Sequence, residues 1–80
     1  NYPNPFNPST TISFSLPESG DVNLSIFNVL GEKVAEINKS AMTAGKHQIN
    51  WNAAGFTSGI YIYRLTSGEF VQSRKMILLK

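Results

Sequence analysis

The chain has no cysteine, and that absence removes disulfides, thiolate chemistry and Cys-based zinc sites together. Small secreted domains usually lean on disulfides. Two readings therefore stay open: a cytosolic protein, or a secreted one whose export route does without them. Charge of one sign is scarce as well. Seven Lys and Arg against five Asp and Glu leave a formal net charge of +2. No basic run exceeds Arg74-Lys75, which is too little for a nucleic-acid interface. No apolar run approaches the roughly eighteen residues of a membrane-spanning helix. No basic-then-apolar signal segment opens the chain. Residue 1 is Asn rather than Met, so the expectation is a chain cut from a longer precursor.

Titratable groups are equally sparse. His47 is the only histidine and Asp21 the only aspartate, so any triad must recruit both with a turn serine. No nucleophile elbow is present. His47 falls in phase with Ile49 and Trp51, which reads as a strand histidine at the rim of a core. Glu18, Asp21, Glu32, Glu36 and Glu69 sit at turns or on solvent faces, where solvated charges belong. No loop motif gathers Asn1, Asn4, Asn7 and Asp21 into a calcium site. Gly45, Gly55, Gly59 and Gly68 are scattered singly and make no phosphate cradle. The reading is of a protein that is not an enzyme and holds no metal or cofactor.

What remains is a strand former. Eighty residues, 41% hydrophobic and 11% aromatic, make one small domain. Asn1-Tyr2-Pro3-Asn4-Pro5-Phe6-Asn7-Pro8 reads as a stiff lead-in, because each Pro fixes its own φ and extends its predecessor. Residues 1–10 are assigned to that lead-in and 11–80 to the folded body. Ile12, Phe14 and Leu16 alternate with Thr11, Ser13 and Ser15, the period of a half-buried strand. After the turn residues Pro17 to Asp21, Val22, Leu24 and Ile26 resume the alternation, and Leu30-Gly31-Glu32 breaks it. A third strand is expected from Lys33 to about Asn38. Val34 and Ile37 lie three apart there, which calls for a bulge or a face switch. Residues 39–46 carry little pattern. His47, Ile49 and Trp51 form a fourth alternating set.

Residues 60–65 are the strongest strand by composition, with Tyr61, Tyr63 and Leu65 on one face and Ile60, Ile62 and Arg64 on the other. Thr66-Ser67-Gly68 turns the chain into a closing strand from Glu69 toward Leu79. Trp51, Tyr61 and Tyr63 are either core anchors or an exposed carbohydrate platform. No segment carries a helical period. Six or seven short strands at this spacing make an all-β, antiparallel β-sandwich.

Most chains end in a few frayed polar residues. This one ends in a β-prone, apolar and basic segment, Phe70-Val71-Gln72-Ser73-Arg74-Lys75-Met76-Ile77-Leu78-Leu79-Lys80. NYPNPFNPSTTISFSLP, VLGEKV, AGKHQINWNA, SGIYIYRL and the terminal KMILLK, in that order over essentially the whole chain, resemble the C-terminal sorting domain of the type IX (Por) secretion system. One departure is Asn52, where that family often has Asp after the tryptophan.

The resemblance implies a seven-stranded Ig-like sandwich. It also implies a Bacteroidetes-type secretion signal without catalytic activity, at the end of a larger cargo. That cargo would be handled by outer-membrane shuttle and sortase proteins, in the periplasm in transit and then at the cell surface or outside. A route of this kind would accommodate the missing disulfides. We assign partner recognition to Lys75, Met76, Ile77, Leu78, Leu79 and Lys80. Turn geometry is assigned to Gly45, Gly59 and Gly68, and the core to Trp51, Tyr61 and Tyr63. An unpaired edge strand would also allow a weak homodimer. The alternative is an Ig-like adhesive or carbohydrate-binding accessory module of an extracellular enzyme.

Overall fold

The computed structural model describes residues 9–78. The Pro-rich lead-in at 1–8, Leu79 and Lys80 lie outside the described residues. Six strands follow one another: β1 Ser9–Leu16, β2 Gly20–Phe27, β3 Lys33–Met42, β4 Gly45–Asn52, β5 Gly59–Ser67 and β6 Phe70–Leu78. The expected count of seven is thus corrected to six among the described residues. The structure is all-β, in two antiparallel sheets. β1 pairs with β4, and the larger sheet runs in the order β3-β2-β5-β6.

The alternation in the sequence fixes which face each strand buries, because successive side chains point to opposite sides. Ile12, Phe14 and Leu16 of β1 and Ile49 and Trp51 of β4 turn inward from the small sheet. Val22, Leu24 and Ile26 of β2, Tyr61, Tyr63 and Leu65 of β5, and Leu78 of β6 turn inward from the large one. Together they form one buried cluster between the layers. The arrangement is sandwich-like, and its core includes Leu24, Ile26 and Leu65 at 0% exposure. Each such side chain contributes about 1.5–3 kcal/mol through burial.

β3 runs four residues further than its alternation indicates, through Met42. Two irregularities make that continuation fit. Ile26 pairs with Ala35 while Phe27 pairs with Lys33, so Val34 is the extra residue of a bulge. The bulge accounts for the odd spacing of Val34 and Ile37. At the far end Gly20 pairs with Met42 but Val22 with Lys39, leaving Ser40 and Ala41 against Asp21. Ala41 there adopts φ 55°, and its N–H donates to Asp21 Oδ1 at 2.9 Å. The bond spans 20 residues, so no local pattern could announce it.

β5 and β6 form a hairpin with Ser67 opposite Phe70. Gly68 takes φ 58° and Glu69 does not turn positive, the pattern of a type II′ turn, whose first central position favours Gly.

The left-handed backbone at Ala41 costs an L-residue about 1–2 kcal/mol that glycine does not incur. Ala41→Gly is expected to stabilise the domain by about 1 kcal/mol, read as a higher urea midpoint at unchanged slope. An unchanged or lower midpoint would remove the strain from this account.

Candidate partner-recognition site at the C-terminal strand

β6 is the last strand of its sheet, bonded to β5 on one side. No strand covers its other side among the described residues. Pairing with β5 is continuous from Ser67↔Phe70 to Gly59↔Leu78. The four described tail residues divide by face. Leu78 is 2% exposed and belongs to the core, and Met76 is partly buried against it. Lys75 and Ile77 project from the outer face, Lys75 exposed and Ile77 62% exposed. The structure therefore splits this segment into an anchoring pair and a displayed pair.

The other assigned residues fall in different places. Gly59 begins β5 opposite Leu78, and Tyr61 lies opposite Met76, so both adjoin the tail. Gly68 is at the far end of β6, and Gly45 faces Leu16 across the small sheet. Trp51, Tyr61 and Tyr63 are buried, at 4%, 6% and 6% exposure. Trp51 packs edge-on against Tyr61 with centroids 5.6 Å apart, and Phe56 closes the cluster 5.0 Å from Trp51. The Tyr61 hydroxyl donates to the Thr57 carbonyl at 2.8 Å, which satisfies its polar end. Asn52 Oδ1 accepts from the Ala54 N–H at 3.0 Å, an Asx turn that an Asp would make equally well.

Three features lay outside the sequence reading. First, Val29 and Leu30, in the β2–β3 turn, are 71% and 79% exposed. Asn28 holds that turn: its Oδ1 accepts from Leu30 N–H at 2.9 Å and Glu32 N–H at 3.1 Å. Its Nδ2 donates to Glu32 Oε1 at 2.8 Å. Second, Asn23 ties the outer face of β2 to β3. Its Nδ2 donates to Glu36 Oε2 at 2.6 Å and to Asn38 Oδ1 at 2.8 Å. The Asn23 bond, with the Lys33 ammonium 3.5 Å from Glu36, holds the Glu36 carboxyl below its ordinary value.

Third, a cleft of about 910 Å³ opens between the sheets, walled by Lys46, His47, Gln72 and Arg74 beside Phe14. His47 Nε2 donates to the Thr43 carbonyl, and its ring packs on Phe14 at 5.7 Å. His47 thus lies at the rim of the core beside Phe14.

The sandwich buries Trp51, Tyr61 and Tyr63, and β6 is one of its edge strands. The family described as secretion system C-terminal sorting domain matches residues 1–79, and the chain belongs to it. No curated protein and no solved structure matches the chain. The domain is a C-terminal sorting signal for type IX secretion, in a non-catalytic family, and directs export to the cell surface or the extracellular space. The adhesive or carbohydrate-binding alternative is not supported, and the aromatics that would form its platform are inside the core.

Two measurements probe this geometry. Leu78→Ala is expected to cost about 2–5 kcal/mol, a large part of the roughly 5–15 kcal/mol of a small domain. Chemical denaturation followed by circular dichroism reads it, and a loss under 1 kcal/mol would place Leu78 outside the core. A carboxyl held low stabilises the fold above its ordinary range, and that contribution is lost as pH falls through the depressed value. Asn23→Ala is accordingly expected to raise the Glu36 titration midpoint, followed by carboxyl NMR. An unmoved midpoint would assign the depression to Lys33 alone.

Proposed function

We propose that residues 75–80 are the element that the type IX secretion machinery reads, with Lys75 and Ile77 as its displayed side chains. The supporting observation is the split within β6, where Leu78 is 2% exposed and Ile77 is 62% exposed. An extended partner segment can add to the free edge of β6. Backbone hydrogen bonds then supply affinity and alternate side chains supply specificity. Leu79 and Lys80 follow Leu78 in sequence and belong to the proposed element.

On this reading the whole chain is one Ig-like sorting domain and itself catalyses nothing. The cargo precedes it in the same precursor. An outer-membrane shuttle protein and a sortase are the partners, met in the periplasm before delivery to the surface. The same free edge gives two copies a route to weak pairing, which engagement by the machinery would displace.

Deleting the tail cannot test this cleanly, since Leu78 leaves with it and the core opens. Side-chain substitutions on the outer face separate the two effects. Lys75→Glu with Ile77→Ser, made in the full precursor, is expected to leave the denaturation midpoint within about 0.5 kcal/mol, as surface changes usually do. Export is expected to fall about tenfold, the loss of roughly 1.4 kcal/mol of recognition. Undiminished export from a folded double variant would remove the displayed side chains from recognition.

A further inference from the structure

The exposed large hydrophobics are not scattered. Among the described residues they are Val29, Leu30, Ile60, Ile62, Val71 and Ile77, and all but Val71 gather at one end of one face. Ile60 pairs with Ile77 and Ile62 with Lys75, while Phe27 pairs with Ile62 from the other side. Val29 and Leu30 extend the strip past the end of β2, where they share a shallow groove with Ile60 and Tyr61. Single exposed apolar side chains need no explanation. A contiguous set beside polar residues marks an interaction surface.

The turn is also held rigid. Besides the Asn28 side-chain bonds, the Gly31 N–H donates to the Asn28 carbonyl and the Asn28 N–H to the Glu32 carbonyl, each at 3.0 Å. Gly31 adopts φ 83° with nothing within 4 Å of where a Cβ would stand. Two apolar side chains are thus fixed in solvent by five hydrogen bonds and a left-handed glycine. A turn held in that way presents its side chains with little ordering cost on binding.

Charge narrows the occupant. Across the β5–β6 half of this face the outward positions are Ile60, Ile62, Arg64, Thr66, Val71, Ser73, Lys75 and Ile77. They include two cations and no carboxylate. A second copy docking by this same half would bring no carboxylate to Arg64 or Lys75. A protein surface with an apolar depression ringed by carboxylates meets both the grease and the charge.

We propose that Val29, Leu30, Ile60 and Ile62 form, with Ile77 and Lys75, one continuous docking surface for such an acidic-rimmed apolar site. The tail is then read together with the Asn28-braced turn rather than by itself. The inference rests on the sorting reading above and adds that recognition needs folded elements distant from the tail in sequence.

The test uses the full precursor in a host that has type IX secretion. Val29→Ser with Leu30→Ser, and separately Ile60→Thr with Ile62→Thr, are expected to lower export about tenfold at an unchanged denaturation midpoint. Benzoylphenylalanine placed at position 30 and at position 77 is expected to trap the same membrane-fraction protein. At position 50, on the opposite sheet, it is expected to trap none. Lys75→Glu is expected to weaken the adduct at position 30, because both belong to one surface facing carboxylates.

Export of both apolar double variants at the wild-type level would overturn this surface and leave the sorting reading standing. Failure of the wild-type precursor to export would overturn both. An adduct of twice the precursor mass would assign the surface to a second copy and overturn the proposal. So would flotation of purified precursor with phosphatidylglycerol vesicles that is lost in Val29→Ser with Leu30→Ser, which would assign it to lipid.

Discussion

Everything displayed by this domain depends on Leu78 being held in the core while its neighbour is held out of it. A strand has a side-chain period of two, so β6 cannot bury Leu78 and Met76 without presenting Ile77 and Lys75. A slip of one residue would exchange the two sets, sending a lysine inward and a leucine into water. The register that prevents this is set at the other end of the hairpin. Gly68 closes a tight turn with Ser67 opposite Phe70, and nine consecutive pairs carry that alignment to Gly59↔Leu78. The tail is therefore positioned by a turn that is itself far from the tail.

The aromatic cluster supports the same end of the molecule from inside. Trp51 reaches across from the small sheet to Tyr61, and Tyr61 lies opposite Met76. Phe56 packs against both rings. An edge-on aromatic pair contributes about 0.5–1.5 kcal/mol beyond its buried area. In a domain of eighty residues that is a sizeable share, and it falls where β5 begins and β6 ends. The end of β6 thus lies beside the aromatic cluster of the core.

How much of this was legible follows from the range of the interactions. Alternation alone identified the inward faces of β1, β2 and β5, because each is a local pattern of burial. It also marked the odd spacing of Val34 and Ile37, which left a bulge or a face switch open until the register showed the bulge. It could not extend β3 past Asn38. What keeps Ser40 and Ala41 in the strand is an Asp21 carboxylate 20 residues earlier. Nor could it pair β1 with β4 or β2 with β5, since those contacts are fixed by packing between distant segments. Val29 and Leu30 were legible as part of the VLGEKV motif, and Leu30 as the start of a break, but not as exposed apolar side chains. Their meaning lies in the Asn28 bonds and in a neighbour, Ile60, from another strand. For the tail, the sequence gives the alternation, and the fold adds which phase of it faces outward.

The outer face of the large sheet is divided, and the division argues for display over accident. On the β2–β3 half, polar groups satisfy one another: Asn23 bonds Glu36 and Asn38, Ser25 donates to Asn23 at 3.0 Å, and Lys33 pairs with Glu36. That half is complete in itself. On the β5–β6 half the corresponding positions hold isoleucines and two cations, Arg64 and Lys75, both exposed. Exposed apolar residues on an edge strand, here Val71 and Ile77, invite association, and proteins commonly blunt such edges with lysine. Lys75 sits at that position here, between Ile62 and the open edge. A cation there discourages pairing with an identical edge.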